Sequence, residues 1–155
     1  MRFRRCVVGG TFSILHEGHR ELLRVAARAA REVVVGIVTD EYAASMNKGH
    51  PVEEYSFRAL NVLLYLLREI GDGQRIAVVP LDDPYGPALS EEVDLIVVSE
   101  ETFPRALEIN SIRVSRGLRP LTIKCIGMVH DGRGHRISSS RLWAMDLHRV
   151  PGHLS

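Results

Sequence analysis

The chain has 155 residues, a net charge of +1 and two cysteines. That length fits one domain with a core of its own, and 45% hydrophobic with 25% charged residues is the balance of a soluble globular protein. So small a net charge excludes the broad positive field that nucleic acid or an anionic membrane would require, two cysteines are too few for a disulfide framework, and no apolar run is long enough for a signal peptide or a membrane span. Residues 1–155 are therefore expected to form a single cytoplasmic domain.

Taken in chain order, Cys6-Val7-Val8 is a short buried strand that ends in Gly9-Gly10. From about Gly18 to Arg31, Leu22, Val25, Ala26, Ala29 and Ala30 fall on one helical stripe. Val33 to Val38 is a second strand, apolar without interruption, as burial on both faces demands. Glu54 to Ile70 carries Leu60, Leu63, Leu64 and Leu67 at helical spacing and stops at Gly71-Asp72-Gly73. Ile76 to Val79, Val93 to Val98 and Leu121 to Ile126 are further strands. Glu101 to Arg116 reads as a helix ended by Gly117, and Ser138 to His148 as a last helix. Cys6 and Cys125, both flanked by apolar residues, are expected as buried free thiols.

This alternation predicts an α/β fold: a single Rossmann-like, doubly wound, five-stranded parallel sheet with helices on both faces. In such sheets a ligand lies beyond the carboxyl ends of the strands, where strand order reverses. No long exposed apolar helix stands out in the pattern, so a monomer or a small homo-oligomer is expected.

Two segments carry chemistry. The first strand runs into Gly9-Gly10-Thr11-Phe12-Ser13-Ile14-Leu15-His16-Glu17-Gly18-His19. Paired glycines after a strand let the backbone turn sharply and approach a ligand, and the helix that follows offers free N–H donors and the positive end of its dipole. His16 and His19 lie three apart at that helix entry, with room for a phosphate at Gly18. A tight turn and a capping histidine would explain the same residues separately, and zinc would lack a third ligand. The second segment, Ile137-Ser138-Ser139-Ser140-Arg141, presents hydroxyls and a guanidinium at the expected start of the last helix, where a plain N-cap is the simpler reading. Together, two anion cradles can grip one triphosphate from both ends.

These paired segments resemble the nucleotidylyltransferase superfamily, with Thr11, His16, Gly18 and His19 matching its first signature and Ile137 to Ser140 its second. Arg141 directly after the serines is similar to the archaeal phosphopantetheine adenylyltransferases. So are Thr39-Asp40-Glu41, Leu81 to Pro87, Val98 to Thr102, Ile109-Asn110 with Arg113, and Gly117-Leu118 with Pro120-Leu121. Ser13 departs from the aspartate usual in the family. The resemblance implies transfer of AMP from ATP to 4′-phosphopantetheine, giving dephospho-coenzyme A and pyrophosphate, with Mg2+ accompanying ATP and no dedicated protein metal site. It implies that Gly10, Thr11, Phe12, His16, His19, Ser99, Glu100, Thr102, Ile137, Ser138, Ser139, Ser140 and Arg141 bind nucleotide. Thr11, Lys48, Leu81, Asp82, Tyr85 and Arg113 are implied at the acceptor, and His19, His16, Thr11 and Lys48 at the reacting phosphates. The alternatives are adenylyl or cytidylyl transfer to another phosphorylated acceptor, such as nicotinamide mononucleotide or glycerol phosphate, and a nucleotide sensor that has lost catalysis.

Overall fold

The computed structural model describes residues 3–46 and 52–127 in full, and beyond them only the backbone of three short strands at 129–130, 136–137 and 142–145. In chain order the elements are β1 (Phe3–Gly10), α1 (Glu17–Ala29), β2 (Ala30–Val38), α2 (Asp40–Ser45), α3 (Tyr55–Glu69) and β3 (Arg75–Leu81). A 3-10 turn (Gly86–Leu89), β4 (Leu95–Ser99), α4 (Phe103–Ser115) and β5 (Thr122–Ile126) follow, then β6 (Val129–His130), β7 (Arg136–Ile137) and β8 (Leu142–Met145).

The five expected parallel strands are present in the order β3-β2-β1-β4-β5. Strand order reverses between β1 and β4, so the end of β1 at Gly9-Gly10 opens onto the switch point. Alternation along the strands divides the core. Cys6, Val8, Val33, Val35, Ile37, Leu95 and Val97 pack under α1 and α3, whereas Val7, Ile96, Val98, Ile123 and Cys125 pack under α4 and the 3-10 turn. Both cysteines are buried free thiols, as expected.

Three expectations give way. A sixth strand, β8, runs antiparallel along β5, pairing Ile123 with Met145 and Ile126 with Leu142. Leu142 to Met145 therefore does not continue a helix from Ser138. Its short apolar run extends the sheet instead, where β5 would otherwise be an open edge. Short helix α2, capped by the Thr39 hydroxyl on the Tyr42 N–H at 3.1 Å, lies between the second strand and the Glu54–Ile70 pattern, where no element was expected. On α3 the core side is Val62 and Leu66, with Tyr55, Ala59 and Tyr65 beside them, while Leu60, Leu64 and Leu67 face outward. Helical spacing alone does not say which of two apolar stripes turns inward.

Candidate active site

Thr11 to His16 connects β1 to α1 at the switch point and holds two non-glycine residues in the left-handed region, Phe12 at φ 55° and Ile14 at φ 47°. Each costs on the order of 1–3 kcal/mol and persists only where its surroundings impose it. Phe12 is buried, with its ring 5.3 Å from that of His19, whereas Ile14 is 72% exposed. Ile14 is held by Glu53, whose carboxylate accepts from the Ile14 N–H at 3.0 Å and from the Ser13 hydroxyl at 2.5 Å. Those bonds, the serine's foremost, keep the Glu53 carboxyl below its ordinary range and so ionised. Ser13 thus acts as a donor to an acid on the neighbouring segment.

Beneath this loop lies Arg58, fully buried on α3. It donates to the carbonyls of Thr11 (2.9 Å), Val38 (2.8 Å) and Glu53 (2.7 Å) and to the Asp40 carboxylate (2.8 Å). One guanidinium therefore ties the ends of β1 and β2, the start of α2 and the entry to α3. Sequence reading passed over it, because nothing in an arginine at a helix start signals that it will be swallowed.

His16 is the N-cap of α1. Its Nδ1 accepts from the Gly18 N–H at 3.0 Å, while its own N–H donates to Nδ1 of His19 at 3.3 Å. The two imidazoles stack with centroids 3.8 Å apart. Burial, then the neighbouring His16, pushes the His19 pKa down to about 4, against a smaller upward pull from the Ile14 backbone. His19 is therefore neutral at pH 7, and since Nδ1 accepts, Nε2 carries the hydrogen. His16, with Nδ1 likewise occupied as acceptor, also presents Nε2 as a donor. The result is two adjacent N–H donors at a helix N-terminus, a group suited to phosphate oxygens.

Two cavities meet here. A cleft of about 970 Å³ is lined by Gly10, Thr11, Phe12, His16, His19, Ser99, Glu100 and Thr102 among others. An apolar pocket of about 210 Å³ runs between Val38, Tyr42, Met46, Leu81, Tyr85 and Ile109. Gly9, Gly10, Thr11 and Thr102 belong to both linings. The Ser99 N–H donates to Thr102 Oγ1 at 3.0 Å, which fixes the turn between β4 and α4 on the cleft's far wall.

Most of the expected residues converge on these walls, and two do not. Arg113 is 1% exposed and donates to the carbonyls of Arg119 (2.7 Å), Ala88 (2.8 Å), Ser90 (2.7 Å) and Val93 (3.4 Å), so its guanidinium is spent on backbone and lines neither cavity. Asp82 is exposed and lines neither cavity, while its neighbour Asp83 caps the turn by accepting from the N–H groups of Tyr85 and Gly86 at 2.8 Å. Asn110, within a matched block, is likewise structural and brackets the Leu121 backbone in both directions. Lys48, Ser138, Ser139, Ser140 and Arg141 lie outside the described residues, and of Ile137 only the backbone, paired with Val129, is described. The pocket residues Tyr42, Met46 and Arg105 were missed. Tyr42 and Met46 arrive through the unread helix α2, and only the tertiary fold brings Arg105 to the pocket mouth.

Residues 7–144 match the cytidylyltransferase-like family. The chain belongs to that family. Similar curated relatives are the phosphopantetheine adenylyltransferase of Methanopyrus kandleri, 48% identical over 91% of this chain and 89% of its own length, and that of Pyrobaculum aerophilum, 41% identical over 90% and 89%. The resemblance drawn from the motifs is borne out. Among solved structures, one from Archaeoglobus fulgidus, described as a protein with unknown function, is 33% identical with a TM-score of 0.70, covering 92% of this chain and 98% of that one. No helix among the described residues is long and apolar enough to cross a membrane.

Proposed function

We propose that this protein is the cytoplasmic enzyme that transfers AMP from ATP to 4′-phosphopantetheine, releasing pyrophosphate and forming dephospho-coenzyme A. The observation that carries the reading is the junction at Gly10-Thr11, where a cleft of nucleotide size meets a narrow apolar pocket beside two imidazole N–H donors. An acceptor with a long, largely apolar arm and a terminal phosphate suits that junction, with the arm between Tyr42, Leu81 and Tyr85 and its phosphate at Thr11. The names of the relatives support the same acceptor.

ATP enters as its magnesium salt. The cleft offers Glu100 and Glu101 but no group of three acidic, histidine or cysteine ligands among the described residues, which suits an ion held mainly by the triphosphate. The acceptor phosphate, whose second pKa lies near 6, is largely a dianion at neutral pH and needs no side-chain base. Its oxygen attacks the α-phosphorus in line. The P–O bond to the β-phosphate breaks and pyrophosphate leaves with the electron pair.

The chain's share is positioning and charge stabilisation. Nε2–H of His19 donates to an α-phosphate oxygen as negative charge grows there, and His16 holds the adjoining oxygens. The neutral imidazole of His19 serves this role without giving up a proton. Thr11, whose hydroxyl has no partner among the described residues and whose carbonyl is anchored by Arg58, orients the attacking phosphate. Lys48 bridging the two phosphates, and Ser138, Ser139, Ser140 and Arg141 at the β- and γ-phosphates, complete the proposed assignment.

The test is incubation with ATP, magnesium and one acceptor at a time, with product mass and released pyrophosphate as readouts. Dephospho-coenzyme A is expected from 4′-phosphopantetheine. Faster turnover of nicotinamide mononucleotide or glycerol phosphate would overturn the acceptor, and pyrophosphate from none of the three would overturn the activity.

A further inference from the structure

Helix α3 carries a face that no described residue covers. Phe57, Leu60, Leu64 and Leu67 are 62, 50, 53 and 56% exposed, on the side away from Val62 and Leu66. Their spacing of three, four and three is that of the a and d positions of a coiled-coil seam, so the four form one stripe down the helix. Elsewhere among the described residues, exposed large hydrophobics stand singly, at Ile14, Met46 and Val114. A lone exposed leucine is ordinary, but a continuous stripe marks a contact surface.

The segment that leads into α3 has no matching apolar face. Asn47-Lys48-Gly49-His50-Pro51 has no large apolar side chain to offer.

We propose that the stripe is the seam of a homodimer, in which α3 packs antiparallel against α3 of a second copy across a two-fold axis. The pattern is self-complementary in that arrangement: Phe57 faces Leu67 and Leu60 faces Leu64, with each pair occurring twice. Charge selects antiparallel over parallel. Arg68 in the last turn and Glu54 at the N-cap are both exposed, and neither forms an ion pair among the described residues. Antiparallel packing brings each Arg68 to the Glu54 end of the other helix, whereas parallel packing holds both Arg68 at one end and both Glu54 at the other. The opposed helix dipoles favour the same choice.

Area sets the strength. At about 150–250 Å² for a large side chain, the exposed fractions amount to on the order of 400 Å² per copy, or about 800 Å² for the pair. Ser56, Asn61 and Leu63 on the flanks raise that toward the lower end of stable interfaces, about 1,200 Å². A weak, concentration-dependent dimer follows.

Sedimentation velocity from low micromolar to near-millimolar protein tests this. The mass is expected to rise from one 17.3 kDa chain toward two. Leu60→Glu with Leu64→Glu, both at exposed positions, should keep the circular dichroism and melting of the parent yet stay monomeric throughout. Arg68→Glu alone should weaken dimerisation at least tenfold, and Arg68→Glu with Glu54→Arg should restore most of it. A wild type that stays monomeric at every concentration would overturn the proposal and leave the stripe to another partner. A dimer that survives the double glutamate would overturn it too, as would a charge swap without rescue.

Discussion

Replacing Arg113 with methionine separates a structural arginine from a ligand-binding one. Methionine fills much of the same volume but donates nothing, so the carbonyls of Ala88, Ser90, Val93 and Arg119 lose their partner together. Arg119 is exposed and water replaces the lost bond there. Ser90 also accepts from the Val93 N–H, which leaves it partly satisfied. Ala88 and Val93 are buried and stay unmet, at about 1–3 kcal/mol each, and the charge-assisted bond to Ser90 is worth about as much. Against this, burying a guanidinium costs something, as its downward-shifted pKa records, and the variant recovers that part. The net expectation is a loss of about 3–4 kcal/mol. For a chain of this length it corresponds to a melting temperature lower by about 6–16 °C. Thermal and urea melts measure the stability, and steady-state kinetics on the folded fraction measure KM for ATP and for the acceptor. Unchanged KM values with a large drop in stability are expected. A variant as stable as the parent but with a raised KM for either substrate would show that the guanidinium reaches a phosphate after all.

His19→Ala should lower turnover by about two or more orders of magnitude, since it deletes a donor aimed at charge that develops in the transition state. Rapid-quench assays on the folded variant measure this, and an unchanged rate would remove His19 from the mechanism. The same residue shapes acid stability. Its pKa is about 4 in the fold and about 6.5 when unfolded, so the unfolded chain binds the extra proton first. Stability contributed at neutral pH should fall as pH drops from 6.5 to 4, with no further loss from this group below, and His19→Gln should flatten that slope in urea midpoints taken at pH 7, 5 and 4. Gly36→Ala would set a Cβ 2.7–2.9 Å from the Leu81 side chain, which walls the apolar pocket. Leu81 must swing into the pocket, so KM for the acceptor should rise several-fold while KM for ATP holds, and adding Leu81→Ala should relieve the clash.

Much of the molecule is legible in the chain itself. The parallel strands announce themselves because burial on both faces demands unbroken apolar runs, as in Val33 to Val38. The β1–α1 corner is legible because Gly9, Gly10 and Gly18 with two histidines satisfy a local requirement, close approach of backbone to an anion, that sequence neighbours meet on their own. Which strands flank the switch point was not legible, because strand order is settled only by pairing between distant segments.

Tertiary structure decided what depends on residues far apart. Arg58 and Arg113 look like any surface arginine until the fold surrounds each with backbone carbonyls from separate segments. The outward turn of Leu60, Leu64 and Leu67 could be settled only by seeing that Val62 and Leu66 already fill the space over β2 and β3. Leu142 to Met145 became a strand because β5 offered a free edge, which overrides a helical local pattern. The protonation of His19 belongs here too: an imidazole's charge is set by what buries it and what its nitrogens meet, and neither is written in the order of the residues.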